Sequence, residues 1–239
     1  MKNSPIYVGG SSKGVGKTFV ALGLLHLLRK KFHTVAWKPV DVGHLAYNAA
    51  DVLSDGQRLH RAAEIEEHPN LVNPFLLNED FPPILAARRD GIALKSDTLQ
   101  DYFKSLSARF EQIVIEGGRG LLLPLTESQT ELGLLSSWKA KVIWVTNIGE
   151  HELADTLLQI QTLKKEQIEI TGIILSNREN NKNAELIYYQ WLTLEEKLSV
   201  TVLALLPFLE SGLEKPDAIG NLLEKQFDKK HLGLFERIA

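Results

Sequence analysis

The chain has no cysteine. Disulfides, thiolate metal sites and a cysteine nucleophile are therefore excluded. It also lacks any run approaching the ~18 apolar residues that a membrane-spanning helix requires, so no membrane partner is expected. Charge of one sign is scarce: 27 Lys and Arg stand against 30 Asp and Glu, for a formal charge of −3. Without a basic stripe, nucleic acid is not an expected partner. The densest basic run, Arg29-Lys30-Lys31, closes a helical pattern, where the helix dipole favours cations. His44, His60, His68 and His151 are scattered without metal-ligand spacing and read as surface or packed residues. The opening Met1-Lys2-Asn3-Ser4-Pro5 carries neither the apolar core nor the cleavage site of a signal peptide, and a cytoplasmic protein is expected.

What is present points to a globular α/β chain. Hydrophobic residues make up 44% and charged residues 24%, more apolar and less charged than disorder requires. A length of 239 residues suits one domain over 1–239. Short apolar runs read as strands at 6–8, 34–37, 112–115, 141–145, 170–175 and 200–206. A helical pattern covers 18–31, with Leu22, Leu25 and Leu28 on one face, and others cover 97–109, 151–165, 182–197 and 221–230. Apolar strands alternating with helices predict a mostly parallel sheet with helices on both faces. The span 41–96, interrupted by prolines and glycines, reads as a loop-rich insertion covering a site. Tyr188, Tyr189 and Trp191 share one helical pattern and read as a core or dimer face.

The strongest motif is Gly10-Ser11-Ser12-Lys13-Gly14-Val15-Gly16-Lys17-Thr18. It follows a predicted strand and opens a predicted helix, the setting of a P-loop, and a P-loop NTPase fold is expected. Glycines let successive backbone N–H groups curl toward phosphates, and the helix N-terminus adds favourable partial charge. Lys17 is placed to reach the β- and γ-phosphates, and Thr18 to put its hydroxyl on Mg²⁺. ATP and Mg²⁺ are the expected cofactors. The loop is one residue longer than the usual spacing, because Ser11 stands where the first glycine is expected and Gly10 lies one position earlier. Lys13 falls one residue from the place of a second signature lysine, held here by Ser12; it reads as a solvated lysine first and a phosphate ligand second.

Three companions are visible. Glu116 ends the strand at 112–115, and a lone acid there is costly to bury without a partner such as Mg²⁺. Asp51 is a second candidate ligand, with an N-cap role as its alternative; Asp55, four residues on, competes for the same part. Lys38, in Trp37-Lys38-Pro39-Val40, projects from the carboxyl edge of the sheet, where ligands bind in open parallel sheets, and is a second catalytic cation beside Lys17.

Together these elements resemble the dethiobiotin synthetase family over roughly residues 5–210. The resemblance rests on the spacing of Gly10 to Gly16-Lys17-Thr18, on Lys38-Pro39-Val40, on Asn73-Pro74-Phe75, on the 81–87 segment and on Glu116-Gly117-Gly118-Arg119-Gly120. It implies that Asp51 is the family's metal-binding Asp, that Asn177 contacts adenine and that Pro207 begins a segment lining the base. Substrate contacts fall on Ser12, Lys38, Val42, Gly118 and Arg119. The implied reaction carbamylates 7,8-diaminononanoate with CO₂, phosphorylates the carbamate with ATP and closes a cyclic urea. A homodimer is implied as well.

The match departs from the family on the substrate side. Gly10-Ser11-Ser12-Lys13 lacks the family's loop acid, Val42 replaces a serine near substrate, and Arg119 replaces a glycine. Arg119 either binds a carboxylate or faces solvent. Glu150 and Glu152 stand at a helix start where a substrate carboxylate would compete with them. Two alternatives therefore stand beside the ligase reading: a same-fold ligase or amide synthase acting on another amine or carboxylate, and a nucleotide-dependent switch ATPase.

Overall fold

The computed structural model describes residues 3–49, 52–208 and 215–226. The chain opens with strand β1 (Ile6–Gly10) and helix α1 (Lys17–Arg29), followed by β2 (Thr34–Trp37) and β3 (Val40–Val42). Three short helices come next, α2 (His44–Ala49), α3 (Asp55–Ala63) and α4 (Pro69–Val72), then β4 (Phe75–Leu77) and α5 (Pro83–Arg89). The remainder alternates regularly: α6 (Ser96–Arg109), β5 (Gln112–Glu116), α7 (Glu131–Trp138), β6 (Lys141–Asn147), α8 (Glu150–Lys165), β7 (Ile170–Ser176), α9 (Ala184–Leu198), β8 (Val202–Leu206) and α10 (Pro216–Gln226).

Six strands form one parallel sheet in the order β2-β5-β1-β6-β7-β8. Every residue of β1, β2 and β5 is buried. Because successive side chains point to opposite faces, both faces of the central strands must be covered, and the all-apolar runs follow from that. Parallel register brings Val8 beside Glu116 and Gly10 beside Val145. The strand ends carrying the P-loop and Glu116 therefore meet at one edge of the sheet, where ligands bind in open parallel sheets.

The span 41–96 differs from its loop-rich expectation. It contains four short helices and a two-stranded parallel sheet pairing β3 with β4. The local signals are caps, not periodicity. Ser54 caps α3 by accepting from the Gln57 N–H, while the Gln57 side chain accepts from the Ser54 N–H. Pro69 and Pro83 sit in the first turn of their helices, where a missing N–H costs nothing. The expected helix at 221–230 begins earlier, at Pro216; residues 227–230 lie outside the described part of the chain. Among the described residues no helix is long and apolar enough to cross a membrane.

Helix α10 closes the fold by packing on α1. A Cβ added at Gly23 would lie 2.6 Å from Leu223 Cδ1 and 2.9 Å from Ile219 Cγ2. Gly23→Val should therefore destabilise the protein by about 1–3 kcal/mol through overpacking, measured as a lower urea midpoint. Gly23→Ala should cost less, because alanine recovers ~1 kcal/mol of helix propensity.

Candidate active site

The P-loop geometry needs its glycines. Gly14 has φ 76° and Gly16 has φ 106°, both in the left-handed region that disfavours other residues. Gly10 is held close for a different reason: a Cβ there would lie 2.7 Å from Val15 Cγ1 and 2.9 Å from the Val145 carbonyl oxygen. Val15 turns its side chain into the core, leaving its main chain for the cradle. Lys17 curls back and donates to the Ser12 carbonyl at 2.7 Å. Ser12 itself is exposed, whereas the Ser11 hydroxyl is buried without a hydrogen-bond partner. Burial pushes the Lys17 ammonium down to about 8, and the neighbouring charge of Lys38 adds to the effect.

At the end of β5, Glu116 is buried and its Oε1 accepts from the Thr18 hydroxyl at 3.0 Å and from Lys38 Nζ at 2.8 Å. Lys38 donates also to the Gly117 carbonyl at 3.0 Å. Burial works against the Lys38 charge, but Glu116, with Asp41 and Asp55 beyond it, outweighs that and holds its pKa well above the usual lysine range. Burial raises Glu116 above the ordinary carboxylate value despite the opposing charge of Lys38. The main chain around Lys38 is fixed from both sides: its N–H donates to the Val72 carbonyl, and its carbonyl accepts from Asn73 Nδ2 at 2.9 Å. The Asn-Pro element at 73–74 thus acts as a brace for Lys38.

These groups surround a cavity of about 270 Å³, near the small end of ligand clefts, ~300–1,000 Å³. Lys13, Gly14, Gly16, Lys17 and Thr18 line it together with Lys38, Val42, Glu116, Gly118 and Arg119. Ser12, Asn177 and Pro207 are not part of the wall. Asn177 closes its own loop: its amide nitrogen donates to the Asn181 carbonyl and its side-chain oxygen accepts from the Asn181 N–H. Pro207 is exposed just past β8. The neighbouring Arg178 does line the cavity, with its guanidinium 4.5 Å from the Phe19 ring centroid.

The metal carboxylates need sorting. Asp51 lies outside the described residues. Asp55 lines the cavity at the start of α3 and acts electrostatically on Lys17, Lys38 and Glu116. Glu116 Oε2 is buried without a hydrogen-bond partner, an arrangement that a cation would satisfy. Among the described residues there is no group of three acidic or histidine side chains that could hold an ion unaided. The histidines serve locally: His68 caps α4 through Nδ1, and His60 Nε2 bonds the Glu67 carbonyl.

Three acids were missed by sequence reasoning. Asp41, buried in β3, accepts from the Val42 and Gly56 N–H groups. Asp80 pairs with both Lys13 and Arg119, so the arginine that was read as a carboxylate binder or a solvent-facing residue meets an internal carboxylate, and the exposed Lys13 shares it. Glu131 is buried at the first turn of α7, lines the cavity and accepts the Gly118 N–H at 2.6 Å. Nothing distinguishes it in the sequence from an ordinary acid following an N-cap threonine.

The model of the AAA domain family AAA_26 matches residues 4–215. An ATP-dependent dethiobiotin synthetase BioD from Anaeromyxobacter sp. (strain K) is 30% identical, over 72% of this chain and 75% of that protein. The chain belongs to that domain family and to the dethiobiotin synthetase family. A second dethiobiotin synthetase, from Thermodesulfovibrio yellowstonii, is 28% identical over 93% of this chain and 95% of its own length. Among solved structures, the septum site-determining protein MinD of Pyrococcus horikoshii OT3, complexed with Mg-ADP, superposes with a TM-score of 0.53 at 20% identity, covering 98% of this chain and 93% of that one. At that identity the likeness speaks for the fold alone.

The depressed pKa of Lys17 has a readable consequence. Between pH ~8 and the unfolded value of 10.5, the unfolded chain binds more protons at this position than the folded one, so its contribution to stability rises with pH through that window. The rise should be on the order of 3 kcal/mol at most. Subtracting the unfolding curve of Lys17→Met from that of the protein across pH 7–11 should isolate it.

Proposed function

We propose that this protein is an ATP- and Mg²⁺-dependent cyclo-ligase that converts 7,8-diaminononanoate and CO₂ to dethiobiotin. The observation that carries this reading is the meeting of a P-loop lysine, Lys17, with the buried Lys38–Glu116 pair on one cavity, in a chain of the dethiobiotin synthetase family.

The chemistry asks for charge control, not a protein nucleophile. One amine adds to the carbon of CO₂ and forms a carbamate. A carbamate is a poor electrophile, so its oxygen attacks the γ-phosphorus of ATP and ADP departs, leaving a mixed anhydride. The second amine then attacks the carbonyl carbon, and phosphate leaves with the C–O electron pair. Carbamate and γ-phosphate are both anions and must be held close together. Lys17 and Lys38 offset their repulsion in a water-poor cleft. Thr18 and Glu116, with Asp51 or Asp55, are the residues that would hold Mg²⁺, which would neutralise phosphate charge when bound. The main-chain amides of residues 10–18 cradle the polyphosphate, and Val42, Gly118 and Arg119 adjoin the substrate. Asn177 and Pro207, outside the cavity wall, are assigned to the base by the family resemblance alone.

ATP turnover with Mg²⁺ and bicarbonate should rise on adding the diamine; stimulation by DNA or a protein, with none by the diamine, would support a switch ATPase instead. Lys17→Ala and Lys38→Ala should each lower kcat by about 10²-fold or more. Of Asp55→Asn and Asp51→Asn, the one that removes the metal ligand should raise the Mg²⁺ concentration needed for half-maximal rate by about tenfold.

A further inference from the structure

Among the described residues four carboxylates line the cavity: Asp41, Asp55, Glu116 and Glu131. Their commitments differ. Asp41 accepts from the Val42 N–H with one oxygen and from the Gly56 N–H with the other. Glu116 is held by Thr18 and Lys38, and with Asp55 it forms the corner suited to a divalent ion. Glu131 accepts from the Gly118 N–H and from the Tyr7 hydroxyl. Among the described residues no lysine or arginine forms an ion pair with it; Lys17 and Lys38 act on it only through space. A carboxylate has room for about four hydrogen bonds, and two are used.

A buried acid stabilised by dipoles alone is incompletely compensated. Burial accordingly raises Glu131 above the ordinary carboxylate range. A cation arriving in the cavity beside it would restore the charged form. The other charged groups described around the cavity cannot receive such a ligand: Lys13, Lys17, Lys38, Arg58, Arg119 and Arg178 are cations themselves.

We propose that Glu131 is the carboxylate that receives a protonated amino group of the substrate, so that the cavity selects amines by an ammonium–carboxylate contact beside the Gly118 turn. The assignment rests on the diamine-consuming reading above and names the residue that recognises the amine. It gives the cavity two poles, a cationic one for phosphate and carbamate and an anionic one for nitrogen.

Glu131→Gln tests the charge while keeping an oxygen that can accept from Gly118 and Tyr7. With the Mg²⁺ complex of a non-hydrolysable ATP analogue bound, calorimetric titration with 7,8-diaminononanoate should show at least about tenfold weaker binding by the variant. Affinity for the ATP analogue should stay within about twofold, a separation that general misfolding would not give. A second measurement needs no variant. Amino alcohols in which either amine is replaced by hydroxyl should bind the unaltered protein unequally, the worse of the two at least about tenfold weaker than the diamine. Equal diamine affinity of variant and unaltered protein, or both amino alcohols binding as tightly as the diamine, overturns the role of Glu131 and leaves the ligase reading standing. No diamine binding by the unaltered protein overturns both.

Discussion

The contact on which the site depends is the pairing of Lys38 with Glu116 inside the protein, 2.8 Å apart and nearly free of solvent. Charges in such a place are stable only in each other's company, and removing one partner of a buried pair costs about 3–5 kcal/mol. The pair joins the end of β2 to the end of β5, and Thr18 brings in the first turn of α1 through the same oxygen. Three chain segments that are distant in sequence are thereby held at one sheet edge. Parallel pairing prepares this meeting, because the register of β1 with β5 sets Val8 beside Glu116 before any side chain is considered.

Around that pair the electrostatics divide by partner. The loop cations have little else to hold: Lys17 has a single carbonyl, and Lys13 shares Asp80 with Arg119. Exposed pairs of the Asp80 kind contribute little to stability, so the exchange of Asp80 for an incoming anion is inexpensive. Carboxylates deeper in the cavity are tied by main-chain donors or by Lys38. The distinction between rim and floor is one of solvent access more than of residue type.

Much of this was legible in the sequence. The P-loop is read locally because its function is made by neighbouring residues: glycines that must take positive φ, a lysine and a threonine at a helix start. Glu116 and Lys38 were visible as charges at the ends of apolar strands, where burial demands a reason. The elements of 41–96 were not visible as a set, because helices of four to nine residues are too short for periodicity to show. Asp80 and Glu131 acquire meaning only through long-range contacts, to Lys13 across 67 positions and to Gly118 across 13. Asp55 against Asp51 was left open by the sequence; the cavity wall contains the first, and the second lies outside the described residues.

Tyr7 and Gly117 form one steric unit. A Cβ at 117 would fall 2.1 Å from the Tyr7 oxygen, so the ring on β1 occupies the volume that any side chain after Glu116 would need. The hydroxyl that fills this space also reaches Glu131. The identities of positions 7, 117 and 131 are therefore coupled: a larger residue in the turn is compatible only with a smaller one on the first strand, and that exchange would strip the buried acid of a donor. Divergence at this corner of the fold would have to proceed by concerted substitution, not by single steps.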